Sequence, residues 1–146
     1  VNRNTPRGGG EDQPRLLHEL RAVDTDMWTT TDSRVLTVLH RAHQAGLPMG
    51  LLSNAPLHLS AVLDVTDWRR DLLDAALYSA RLETCKPAPD AYHQALAATG
   101  IDHPHRVLFV DDRLDNCRAA TALGLRALHY TGNPDVLEAA LLPDVD

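Results

Sequence analysis

The chain has 146 residues, 44% of them apolar, and a formal net charge of −6 at pH 7. That is enough for one domain with a real core, and the sign of charge is wrong for general nucleic-acid binding, which needs clustered basic side chains. No apolar run reaches the length of a membrane span and no secretory signal opens the sequence, so neither nucleic acid nor membrane is an expected partner.

Residues 1–14 include the run Gly8, Gly9 and Gly10, have nothing to bury, and read as a disordered tail. The first residue is Val1, which suggests a non-standard start codon or a chain that begins partway through a larger one. Residues 15–23 read as a helix with Leu16, Leu17, Leu20 and Val23 on one side. After Asp24-Thr25-Asp26 and a Thr-rich stretch, Asp32 is a good N-cap for a helix over 33–45, with Val35, Leu36, Leu39 and Ala42 as its stripe and Gly46 as its stop. Residues 47–52 read as a strand ending at Ser53 and Asn54, and Pro56 suits the first turn of a helix running to about Leu63. Residues 68–74 are ambiguous, with a short helix as one reading, and 75–78 suit a short strand. Lys86, the only lysine, sits in a turn whose prolines exclude helix. Pro89 opens a helix to Ala98, stopped by Gly100.

Residues 107–110 are apolar and too few for a helix, so they read as a buried parallel strand. Asp111 and Asp112 follow, then a helix whose small residues Cys117, Ala120 and Gly124 let it pack closely on a sheet. A strand over 125–129 and a helix over 134–141 complete the order. Strands alternating with helices give an α/β fold with a parallel sheet and right-handed crossovers. Residues 15–146 are read as one domain.

Three strand ends carry candidate chemistry. Ser53-Asn54 offers a hydroxyl and free amides ahead of a helix, an anion site or simply an N-cap. Lys86 offers a fixed cation or an ordinary surface charge. Asp111 and Asp112 repel each other unless something positive lies between them, and a hard cation such as Mg²⁺ is the usual answer; the alternative is a solvated acidic turn. Donors, a cation and a metal site together are the parts that phosphoryl transfer needs, because its transition state spreads charge over several oxygens. Ser53, Lys86 and Asp112 are therefore expected to converge at one edge of the sheet.

Those residues carry a resemblance. LLSNAP, CKPAPDAY and VLFVDDRLDNCRAATALG, in that order, resemble the second, third and fourth motifs of the haloacid dehalogenase-like hydrolase superfamily, in its branch with a small helical cap. The likeness runs over residues 31–132. It implies a Rossmann-like three-layer sandwich and a Mg²⁺-dependent phosphatase acting on a small phosphorylated metabolite. It also implies roles. Ser53 and the Asn54 backbone would hold the phosphoryl group, Lys86 would neutralise it, Asp112 would bind Mg²⁺ directly, Asp111 directly or through water, and Asn116 would steady the acidic loop.

One part departs from the family pattern. The first motif, an apolar central strand ending in Asp-x-Asp, carries the nucleophile and the acid/base. Asp24 and Asp26 are the only candidates, but the stretch before them is helical in pattern and charged. Residues 15–30 are read as the remnant of a cap and the first central strand as missing. The strands ending at Ser53 and Asp111 would then either flank a gap, leaving edges that invite self-association, or pair directly.

Other functions weigh less. A dehalogenase attacks carbon without a metal and has no need of the acidic pair. A phosphoacceptor signalling domain combines the same residue types in the reverse order. A non-catalytic remnant that binds a partner is the remaining alternative. The cysteines Cys85 and Cys117 lack metal-ligand spacing, so a reducing, cytoplasmic setting is the default. His40, His43, His103 and His105 are expected at the surface, and Trp68 in the core or at a cap contact.

Overall fold

The computed structural model describes residues 32–142. The tail, the helix expected over 15–23, and Asp24 and Asp26 lie outside the described residues.

Helix α1 spans Ser33–Gln44 and starts where expected, with the Asp32 carboxylate accepting from the Arg34 amide at 2.8 Å. Its end explains why strand β1, Gly50–Ser53, begins later than the apolar run does. Gly46 takes the left-handed conformation (φ +83°), and the Leu47 amide is spent on the Ala42 carbonyl. Pro48 has no amide to give. Helix α2, Leu57–Asp64, has Pro56 as its cap rather than in its first turn. The ambiguous segment is helix α3, Asp67–Leu72, followed by β2, Ala75–Tyr78. A short helix α4, Ser79–Leu82, has no sequence signal. It ends on Glu83 in the left-handed region (φ 60°), which turns the chain toward Lys86.

Helix α5 covers Pro89–Thr99, and a single 3₁₀ turn covers Pro104–Arg106. The turn captures the Val107 amide, so β3 is Leu108–Asp111 and includes the first carboxylate. Helix α6, Leu114–Ala122, strand β4, Arg126–His129, and helix α7, Pro134–Leu141, follow.

Strand β1 pairs in parallel with β2, and β3 with β4. Among the described residues these remain two separate two-stranded sheets, and β1 does not pair with β3. Direct pairing of β1 with β3, one of the two expected arrangements, is therefore not seen among the described residues. Each sheet has its own apolar cluster. Ala55, Leu59, Leu63 and Tyr78 pack with Leu51, Trp68 and Ala76. Tyr92, Ala120 and Leu125 pack with Phe109, Val107 and Ala127, and Leu52 of β1 reaches across to this second cluster. Trp68 is thus a core residue, while His40, His43, His103 and His105 are exposed. Among the described residues no helix is long and apolar enough to cross a membrane.

Leu63 is fully buried in the first cluster. Leu63→Ala is expected to lower unfolding stability by about 3 kcal/mol, read from urea midpoints at unchanged slope.

Candidate active site

One strand of each parallel pair ends on a polar residue: β1 on Ser53 and β3 on Asp111. Open α/β folds place ligands at such ends. Lys86 comes from the loop between α4 and α5, and its Nζ lies 2.5 Å from Asp111 Oδ2. Both side chains are buried, with 8% and 6% of their surface exposed. The structure therefore brings together two of the three expected strand-end features in one ion pair.

Asp111 is held from several sides. The Arg113 amide donates to Oδ1 at 2.8 Å, and Asn116 Nδ2 donates to both oxygens at 3.2 Å. Burial on its own would raise the Asp111 carboxyl. The Lys86 ammonium, the Arg113 amide and Asn116 outweigh it and hold the group below its ordinary range. Asn116 is itself anchored, because Tyr92 Oη donates to its carbonyl at 2.7 Å. Burial, then the nearby Asp111 charge, pushes the Tyr92 hydroxyl up to about 12, so it stays a donor. The Tyr92 ring meets Phe109 edge-on at 5.3 Å, and the Lys86 ammonium lies 5.5 Å from the Phe109 ring centre. Neither Tyr92 nor Phe109 was legible as a site residue. Both are core residues by pattern, and only the fold sets them beneath the ion pair.

Ser53 is 1% exposed, and its hydroxyl is buried with no partner among the described residues. Asn54 turns out to act through its side chain, which pairs with the Lys86 peptide. Asp112 is exposed. Its carbonyl accepts from His129 Nε2 at 2.8 Å, and its carboxylate has no partner among the described residues. Asp111 and Asp112 thus differ in kind: one is neutralised in the interior, the other is a free oxygen donor at the rim. Oxygen ligands of this type, one or two carboxylates with water and substrate completing the shell, fit Mg²⁺. Among the described residues no cluster of three His, Cys, Asp or Glu side chains forms. Cys117 is buried, which raises its thiol, and it lies 3.5 Å from the Asp111 and Leu128 carbonyls. Nothing there favours redox chemistry.

Asp111 titrates lower in the folded chain than in the unfolded one, so its contribution is present above about pH 4 and lost as pH falls through the folded value. Stability is expected to hold between neutral and mildly acidic pH and to drop below about pH 4. Asp111→Asn should remove part of that acid slope while costing about 3 kcal/mol at neutral pH, because Lys86 is left buried and unpaired. Denaturant melts over a pH series check both.

The comparisons with known proteins follow this geometry. The family model for haloacid dehalogenase-like hydrolases matches residues 8–124. Among solved structures, an uncharacterized protein from Corynebacterium glutamicum superposes with TM-score 0.66 at 26% identity, covering 77% of this chain and 85% of its own. The L-2-haloacid dehalogenase RSc1362 superposes with TM-score 0.62 at 25% identity, and the matched part covers 82% of this chain and 50% of that one. A HAD family enzyme from Bacteroides thetaiotaomicron, crystallised with magnesium and inorganic phosphate, superposes with TM-score 0.59 at 19% identity, covering 80% of this chain and 68% of its own; at that identity the likeness is one of fold. No curated protein matches.

Proposed function

Because this chain belongs to the haloacid dehalogenase-like hydrolase family, we propose that its strand-end site serves Mg²⁺-dependent hydrolysis of a phosphate monoester on a small phosphorylated metabolite. The observation that carries this reading is the buried Ser53 hydroxyl without a partner among the described residues, adjoining a loop whose lysine is paired with Asp111. An orphaned buried hydroxyl costs free energy until a ligand satisfies it. A phosphoryl oxygen, accepting from Ser53 and from the remaining Lys86 hydrogens, does so. Asp112, with Asp111 behind it, would hold the metal, which supplies charge neutralisation at the phosphoryl oxygens. The magnesium and phosphate bound by the Bacteroides fold relative are in keeping with this.

Among the described residues no nucleophile is assigned. Asp111 is occupied by Lys86 and Asn116, and Asp112 is assigned to the metal. In this reading the described residues bind and neutralise the phosphoryl group but do not attack it. A non-catalytic, partner-binding role is the second reading, and the likeness to RSc1362 keeps L-2-haloacid hydrolysis as a third. The free Asp112 carboxylate favours phosphate, since carbon–halogen displacement has no use for it. The β1 and β3 edges, which do not pair with each other among the described residues, are where self-association is expected.

The test is turnover of a generic aryl phosphate with Mg²⁺ in large excess. The chain is expected to be inactive and to gain activity when an apolar strand ending in Asp-x-Asp is fused ahead of it. Activity of the chain itself that Asp24→Asn abolishes would place the nucleophile at Asp24. Metal-independent release of halide from an L-2-haloacid would favour the third reading. Calorimetry is expected to show weak Mg²⁺ binding that Asp112→Asn removes; tight binding untouched by that change would put the metal elsewhere.

A further inference from the structure

Lys86 lies in a loop that has little of its own to hold it. The segment between α4 and α5 has no regular structure, and Pro87 and Pro89 contribute no amide hydrogen. Within it the Ala88 amide reaches the Cys85 carbonyl at 2.9 Å, leaving the Lys86 peptide untouched. The hydrogen bonds to that peptide come from across the fold. Asn54 Nδ2 donates to the Lys86 carbonyl, and the Lys86 amide donates to Asn54 Oδ1, each at 2.9 Å. A carboxamide presents one donor and one acceptor side by side, and here both meet their complements. Among the described residues no other hydrogen bond reaches the Lys86 peptide.

We propose that Asn54 is a positioning residue. Its side chain clamps the Lys86 backbone, so that the strand end bearing the Ser53 hydroxyl and the loop bearing the cation move as one body. This goes beyond a role for the Asn54 amide in holding an anion. It deepens the phosphate-site reading and rests on it only where phosphate binding is the readout. The clamp explains how an irregular, proline-rich loop keeps an ammonium within bonding distance of Asp111. It also sets a narrow requirement on the side chain. Alanine removes both bonds. Aspartate keeps the acceptor for the Lys86 amide but turns an oxygen toward the Lys86 carbonyl.

The test uses Lys86 as its own reporter, since it is the only lysine in the chain. Full-length protein is treated with an amine-reactive reagent under native conditions, and labelling of Lys86 is followed by peptide mapping. Inorganic phosphate binding is measured on the same proteins by calorimetry. Asn54→Ala is expected to speed Lys86 labelling about tenfold and to weaken phosphate about tenfold, the loss of two modest hydrogen bonds. Asn54→Asp is expected to follow Asn54→Ala. Leu63→Ala, which lowers stability away from the loop, should leave native-state labelling unchanged, and this separates positioning from general destabilisation. A folded Asn54→Ala protein labelled within about twofold of the wild-type rate overturns the proposal. Should that variant fail to fold, Asn54→Asp decides by the same threshold. If the wild type binds no phosphate yet Asn54→Ala still exposes Lys86, the clamp stands and the phosphate-site reading falls.

Discussion

The buried pairing of Lys86 with Asp111 is the constraint on which the rest of the structure depends. Neither charge could be held inside alone, since removing either from water costs several kcal/mol that only a close, well-bonded partner offsets. The 2.5 Å contact, the Arg113 amide and the Asn116 carboxamide supply that compensation. The partners come from opposite halves of the molecule: Lys86 follows the β1–β2 sheet, and Asp111 ends β3. An apolar pair of similar volume would hold the halves at least as well. What it would not provide is a cation at the strand ends, near a hydroxyl that has no partner among the described residues.

Much of this was legible in the sequence, and for local reasons. Four apolar residues ahead of two aspartates could hardly be anything but a buried strand ending in charge, and Gly46 and Gly100 marked helix ends because left-handed backbone there favours glycine. Strand starts shifted by one to three residues because neighbouring caps and turns claimed the Leu47, Val107 and Leu125 amides. That competition depends on hydrogen-bond partners rather than on apolar pattern. The short helix α4 was missed because four residues carry no periodicity to read.

Within the site, residue types and order pointed to Ser53, Lys86, Asp111 and Asp112, but not to how they divide the work. By type both aspartates suit a metal; only the fold shows one neutralised inside and the other at the rim with no side-chain partner among the described residues. The supporting residues were harder still. Asn54 reaches Lys86 across 32 positions, and Tyr92 reaches Asn116 across 24. Contacts of that separation leave no trace in local pattern, and a single sequence holds nothing else from which to infer them.

The division of the apolar core into two clusters has a consequence for how the molecule comes apart. Each cluster lies under its own pair of strands, and among the described residues the seam is crossed by Leu52, the Lys86–Asp111 ion pair, the Arg41–Glu138 pair between α1 and α7, and the packing of α5 on β1. Cooperative units of a protein follow such boundaries, opening at free energies below that of global unfolding. The two clusters mark where such a boundary would fall. The candidate site is built on that seam from residues of both sides. Its integrity depends on how the halves hold together, and ligand-binding competence is expected to be lost at lower denaturant than helix content.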